Sequence, residues 1–241
     1  MVKVSIVVPA YNEERLLGQS LAQIKQAAKA FEQRGWETEL IVCDNNSKDR
    51  TAEIARESGA TVVFEPINQI ARARNCGAAA ATGDWLVFVD ADSHPSAELF
   101  SDVAGQIISG KCLAGGATVK MDGNHPAAAV MVPVWNSISR LFKFPAGSFI
   151  FCEAAAFRKI GGFSTELFAG EELELGKRLQ KLAKEVKKKI VILSRHPLIT
   201  SSRKLKLYSL SEHLRLLFRF AFNREQLANR EACHLWYDGR R

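Results

Sequence analysis

No two of the five cysteines (Cys43, Cys76, Cys112, Cys152, Cys233) stand as a Cys-x-x-Cys pair. That spacing argues against a zinc site and a disulfide framework, and for a reducing compartment. No apolar run reaches the ~18 residues that a membrane-crossing helix needs. No Gly-x-Gly-x-x-Gly follows the first apolar run, so the fingerprint of a dinucleotide-binding dehydrogenase is missing. Pro9-Ala10-Tyr11-Asn12, which does follow it, offers no glycine-rich phosphate loop either. There is no internal repeat, no low-complexity linker and no sign of a second-domain boundary. The opening residues are strand-like and run straight into a polar motif, so no signal peptide is expected.

What is present is a chain of 241 residues, 47% hydrophobic and 24% charged, the profile of a soluble globular domain with a real core. The net charge of +7 is unevenly spread. Residues 1–176 carry 16 basic and 21 acidic side chains, whereas residues 177–241 carry 17 basic and 5 acidic. A basic surface of this kind can serve anionic lipid, a phosphorylated ligand or nucleic acid, or be a solvated, Lys-rich helix face.

The first hundred residues alternate strand and helix. Apolar runs at 4–8, 39–43, 61–64 and 85–89 read as strands. Helical spacing of apolar residues covers 13–31, 51–58 and 69–81, with Asp49 or Ser47 capping the second helix and Gly83 closing the third. This alternation predicts an α/β fold with a mainly parallel sheet covered on both faces. Beyond residue 110 the pattern loosens. Strands are expected at 113–120, 148–152 and 190–193, and helices at 127–141 (interrupted by Pro133) and 171–183. Gly161-Gly162-Phe163 reads as a turn, and Trp135 preferably as a core residue. Ser209-x-x-Glu212 is a capping box opening a last helix.

Polar residues collect just after three strand ends: Tyr11-Asn12-Glu13, Asp44-Asn45-Asn46 and Asp90-Ala91-Asp92. Open α/β sheets bind their ligands there. Asp90 and Asp92, at i and i+2, project to the same side. Two carboxylates so placed repel each other unless a cation, a donor or a proton intervenes. Hard divalent cations take such oxygens, and Mg2+ usually shares its shell with substrate phosphates. A further cluster, Ala71-x-Ala73-Arg74-Asn75-x-Gly77, precedes the fourth strand.

These clusters, with Gly161-Gly162-Phe163 and Glu171-Glu172-x-Glu174-Leu175 in that order, resemble family 2 glycosyltransferases of the GT-A fold over roughly residues 2–195. The resemblance implies a Rossmann-like, mixed but mainly parallel sheet flanked by helices. It divides the chain into a GT-A catalytic domain at 1–200 and a basic helical extension at 201–241. Within the domain, 1–110 would be the nucleotide-binding half and 111–200 the acceptor-binding half. It implies inverting transfer of a sugar from a nucleotide-diphosphate donor (UDP- or GDP-sugar) to an acceptor hydroxyl, with Mg2+ or Mn2+. Pro9, Ala10, Tyr11 and Glu13 would line the base and ribose pocket, and Asp44 would meet the base, its alternative being an Asx turn. Arg74 would meet a diphosphate oxygen, with a surface ion pair as alternative, and Arg72 is a poorer candidate. Asp90 and Ala91 would touch the ribose or a metal-bound water. Asp92 would bind the cation, with His196 the best-placed histidine for a further ligand. The matching base position is Glu172, where the family commonly has Asp, so Glu171 is the alternative. A helix N-terminus should keep that carboxylate ionised. Thr200-Ser201-Ser202-Arg203 could close over the diphosphate. Trp135 falls where acceptor or sugar contacts occur in relatives, the alternative to its core reading.

No Gln-x-x-Arg-Trp is present, so a processive synthase of the cellulose or chitin type is not expected. The competing readings are a nucleotide-sugar nucleotidyltransferase and a non-catalytic nucleotide- or membrane-binding domain. The last helix carries Leu214, Leu216, Leu217, Phe218, Phe220 and Phe222 with Arg215 and Arg219, and would be buried, dimeric or interfacial. A cytoplasmic protein is expected, without nucleic-acid partners, with peripheral contact to anionic membrane and a homodimer as further options.

Overall fold

The structure, a computed structural model, describes residues 1–123, 125–203, 227–229 and 231–233. The expected last helix lies outside the described residues. In chain order the elements are β1 (Lys3–Ala10), α1 (Leu17–Glu32), β2 (Glu37–Asp44), α2 (Thr51–Glu57), β3 (Thr61–Phe64), α3 (Ile70–Ala80), β4 (Trp85–Val89) and β5 (Ser93–His94). They continue with α4 (Ala97–Ile108), β6 (Cys112–Met121), α5 (Pro126–Phe142), β7 (Phe149–Glu153), α6 (Ala154–Lys159), α7 (Glu171–Glu185) and β8 (Lys189–Thr200).

One eight-stranded sheet runs in the order β3-β2-β1-β4-β7-β6-β8-β5. β3, β2, β1 and β4 are mutually parallel, and β6 is parallel to β8. β7 is antiparallel to both its neighbours, and β5 is antiparallel to β8. The central strands are apolar on both sides because both faces are covered. Val4, Ile6 and Val8 of β1 pack with Leu17, Leu21, Ile24 and Phe31 of α1 and with Leu99, Phe100 and Val103 of α4. Val7, on the other face, joins Phe88, Phe157, Phe163, Leu175 and Leu179 under α3, α6 and α7.

Register sets the site. Ala10 pairs with Asp44, and Val7 with Phe88, so Asp90 comes level with Pro9. β7 starts at the same edge, with Phe149 opposite Val89. The ends of β1, β2 and β4 and the start of β7 therefore share one rim of the sheet.

The sequence reading departs from the structure at several places. α1 begins at Leu17 rather than residue 13, because Asn12 turns left-handed (φ 52°) and the Glu13 carbonyl closes a turn on Leu16 and Leu17. Gly83 is not a helix cap. α3 ends on extended Ala81, and a Cβ on Gly83 would sit 2.6 Å from Ser5 Oγ and 2.8 Å from the Lys3 carbonyl. α4 and α6 were not foreseen, although Ser96 Oγ caps α4 by accepting from Leu99 N at 3.1 Å. β8 runs on to Thr200 past the polar stretch Arg195-His196-Pro197, following a register irregularity against β6. Trp135 is partly buried against the core, not within it.

Candidate active site

The loops after β1 and β2 clasp each other. Asn12 N donates to Ser47 Oγ (3.0 Å), Lys48 N to Asn12 Oδ1 (2.8 Å) and Glu13 N to Thr51 Oγ1 (2.8 Å). Asp49 Oδ1, one residue before the N-cap of α2, accepts from Thr51 N at 3.0 Å; that N-cap is Arg50 rather than the expected Asp49 or Ser47. Asp44, buried at the end of β2, accepts from Ser47 N at 3.0 Å through Oδ1. The bond spans three residues, one more than an Asx turn, and it fixes the carboxylate at the rim. Pro9 and Ala10 are buried beside it, and Tyr11 is half-buried.

Arg74 is the centre of the site, and it is interior. Its residue exposure is 1%. Nη1 donates to Glu171 Oε1 (2.7 Å), and Nη2 donates to Asp90 Oδ1 (3.0 Å) and the Gly147 carbonyl (2.8 Å). The guanidinium carbon lies 5.2 Å from the centroid of the Phe163 ring, a cation–π contact. The sequence reading placed Arg74 on a diphosphate oxygen or in a surface ion pair. It is instead committed to the buried Glu171 and half-buried Asp90 carboxylates, which hold the guanidinium charged. Arg72 turns away to Glu65, with Nε 3.2 Å from Oε1.

Glu171 and Glu172 open α7 behind Gly170, whose φ of 75° suits glycine. Glu171 is buried in the ion pair with Arg74. Glu172 is half-buried against Gly147, where an added Cβ would stand 3.5 Å from its carboxyl carbon. Burial, then the neighbouring Glu171 charge, push the Glu172 carboxyl up to about 8. The helix N-terminus was expected to keep this group ionised. Desolvation and like-charge repulsion outweigh that dipole, which is worth only about 0.3–1 kcal/mol at ordinary sites.

Asp92 has a side chain 14% exposed, and its carbonyl accepts from Ser201 N at 3.2 Å. Arg203, arriving after β8, forks onto Glu13 (Nη1–Oε2 3.0 Å, Nη2–Oε1 2.9 Å) and reaches Asp92 Oδ2 at 3.5 Å. A guanidinium held there shows that these carboxylates attract a cation. Carboxylate oxygens also suit Mg2+ or Mn2+, which take one or two from the protein and fill the shell with phosphate and water. Among the described residues no group of three His, Cys, Asp or Glu side chains gathers to hold a metal. His196 is not brought to Asp92. Its Nδ1 lies 2.9 Å from Asp102 Oδ2 on α4, because β8 passes the carboxylates only at its far end. Ala91 is buried between the two aspartates.

Three amides that the sequence reading left without a task, the buried Asn45 and Gln69 and the half-buried Asn75, hold the loops around the site. Asn45 Nδ2 donates to the Glu65 (3.1 Å) and Ile67 (2.7 Å) carbonyls. Gln69 Nε2 donates to the Thr165 and Leu167 carbonyls, both at 2.9 Å. Asn75 accepts from Phe163 N (2.9 Å) and donates to its carbonyl (2.8 Å), fixing the turn in which Gly161 and Gly162 have positive φ. Their only sequence signal is Asn or Gln next to a strand end or inside an alanine-rich helix. A cleft of about 530 Å³ lies between α5 and the end of β6, lined by Met121, His125, Ala128, Val132 and Pro133 among others.

Known proteins share both the sequence and the fold. A TPR repeat-containing protein of Synechococcus elongatus is 34% identical over 144 residues, 59% of this chain and 32% of its own. The 4,4'-diaponeurosporenoate glycosyltransferase of Staphylococcus haemolyticus is 38% identical over 96 residues, 37% of this chain and 24% of its own. An uncharacterized glycosyltransferase of Mycobacterium bovis is 33% identical over 122 residues, 51% of each chain. The chain thus spans about half or less of the length of these curated relatives. Among solved structures, S. aureus TarS 1-349 superposes with a TM-score of 0.65 at 20% identity, covering 98% of this chain and 78% of its own. The mannosyltransferase PcManGT from Pyrobaculum calidifontis, in complex with GDP-Man and Mn2+, does so with a TM-score of 0.64 at 18% identity, covering 98% and 73%. At these identities the structures establish the shared GT-A architecture. The sequence profile described as "Glycosyl transferase family 2" matches residues 5–160, and with the strand-end carboxylates in place the chain belongs to that family.

Proposed function

We propose that this chain is a divalent-metal-dependent, inverting glycosyltransferase that moves a sugar from a nucleoside-diphosphate donor to an acceptor hydroxyl. The observation that carries the reading is the Arg74 bridge. One buried guanidinium joins Asp90, on the rim strand of the donor half, to Glu171, beside the candidate base Glu172. Asp90 and the carboxylate next to the base are thereby held across one fixed charge, as preorganised catalysis requires.

In this reading Asp44 and the Pro9–Glu13 loop receive the base and ribose. Asp92 and Asp90 hold a Mg2+ or Mn2+ ion, which when bound supplies Lewis-acid stabilisation of the diphosphate leaving group. Arg203 meets the same charge from the β8 side. Glu172 accepts the proton of the acceptor hydroxyl, and its raised pKa suits a base working near neutral pH. Inversion follows from that assignment, because a base facing the donor directs a single in-line displacement. PcManGT was solved with GDP-Man and Mn2+, and glucosyl-3-phosphoglycerate synthase of Mycobacterium tuberculosis with Mn2+ and UDP, which supports a nucleotide and a metal at this rim.

Thermal shift with UDP or GDP, with and without Mn2+, tests the reading. At a hundredfold excess over Kd a bound nucleotide stabilises by about 2.7 kcal/mol, roughly 5–10 °C for a chain of this size. The shift should require metal and vanish in Asp92→Asn. Equal stabilisation by NAD, or by nucleotide without metal, would overturn it. Proton NMR of the transferred sugar then reads the anomeric outcome.

A further inference from the structure

A helix lying on a protein's surface normally turns polar residues outward. α5 does not. Its sequence, PAAAVMVPVWNSISRLF, holds a single charge, Arg140. Its inner side is anchored by the Asn136 carboxamide, which accepts from Val119 N and donates to the Val119 carbonyl, both at 2.9 Å. Its outer side carries Val130, Val134, Ile138 and Leu141, exposed by 68, 54, 40 and 74%, with Phe142 at 56%. Spacings of i, i+4, i+8 and i+11 place the first four on one stripe, about 16 Å long. Contiguous apolar surface of this kind marks an interaction site.

α7 packs against the C-terminal end of that stripe. A Cβ on Gly176 would lie 3.4 Å from Phe144 and 3.5 Å from Pro145. Gln180 Nε2 donates to the Phe142 (2.8 Å) and Lys143 (3.1 Å) carbonyls. Lys177 and Lys184 share the helix face of Gln180, Lys181 adjoins it, and all three are exposed, as are Lys143, Lys187 and Lys189. Residues 177–189 hold seven basic side chains against one acidic. Of these, Arg178 and Lys188 are paired to Glu174 and Glu153.

We propose that the outer face of α5 and the lysines of α7 form a docking surface for an anionic lipid bilayer. The valine, isoleucine, leucine and phenylalanine side chains enter the interfacial layer, and the lysines meet headgroup phosphates. Charge complementarity selects this occupant. An apolar stripe ending in a cationic cluster is the pattern of interfacial helices, and each lysine near an anionic surface adds about fivefold to binding. The surface sits at the Glu172 end of the site, since Gly147, five residues beyond Phe142, touches both Arg74 and Glu172. Docking is independent of the sugar chemistry and is tested without it.

The full chain should co-sediment with phosphatidylcholine vesicles containing phosphatidylglycerol, not with phosphatidylcholine alone, and salt should weaken binding. The double substitution Val134→Glu/Leu141→Glu should weaken it at least tenfold, and Lys177→Glu/Lys184→Glu should also weaken it, with melting temperatures unchanged. Wild type that ignores the anionic vesicles overturns the proposal. So does undiminished binding by Val134→Glu/Leu141→Glu, which would assign attachment to residues 204–226. A wild-type dimer that this substitution splits, with no vesicle binding, would show that a second copy covers the face.

Discussion

Replacing Arg74 by alanine should be the most damaging single change near the site, through stability before chemistry. The side chains of Arg74 and Glu171 are 2% and 6% exposed, whereas that of Asp90 is 26% exposed. Solvent can screen Asp90 once its partner leaves, so its share is small. Glu171 cannot be screened in this way. Breaking a buried ion pair by removing one partner costs about 3–5 kcal/mol, because the other charge is left uncompensated. For a chain of this length each kcal/mol moves Tm by about 2–4 °C, so Arg74→Ala should lower it by roughly 6–20 °C. Calorimetry at neutral pH measures this. Adding Glu171→Gln to Arg74→Ala should recover most of the loss, since it removes the orphaned charge, and a double-mutant cycle isolates the coupling. Arg74→Lys should recover only part, because one ammonium cannot span Glu171, Asp90 and the Gly147 carbonyl. A melting temperature within about 2 °C of wild type, or additive effects of the two substitutions, would refute the reasoning.

Glu172→Gln should leave metal-dependent nucleotide binding intact and abolish transfer, measured by calorimetric titration and by release of the nucleoside diphosphate. In wild type, kcat/KM should rise with pH along a limb centred at about 8, where Glu172 ionises. The same shift has a stability consequence of opposite sense. Because the folded state keeps this proton where the unfolded chain has released it, the contribution is complete below about 4.5 and is lost as pH rises through about 8. Glu172→Gln should flatten that part of the stability profile in urea melts. Gly77→Ala should destabilise by about 1–3 kcal/mol in the same melts, the usual cost of overpacking, since its Cβ would fall 2.4 Å from Val7 Cγ1 between α3 and β1. Asn75→Ala should cost about 1–3 kcal/mol and speed proteolysis around residue 163, because it removes both bonds that hold the Phe163 turn.

Residues 61–64 and 85–89 announced their strands because short apolar runs between turn signals admit little else. The strand-end carboxylates followed, since a parallel sheet puts the ends of β1, β2 and β4 on one rim. Local pattern therefore determined most of the strands and helices up to residue 89 and the paired carboxylates at the start of α7, and the resemblance those motifs carry gave the family. It did not determine which residues meet. Arg74 and Glu171 are 97 positions apart, and Arg203 and Glu13 are 190, and no spacing encodes such pairings. Tertiary structure decided that Arg74 is interior and that His196 turns to Asp102. It also decided that burial and the adjacent Glu171 charge push the Glu172 carboxyl upward. Each of those outcomes depends on burial and on which charges burial brings together. Packing of distant segments sets both, after local conformational preference has formed the helices and strands.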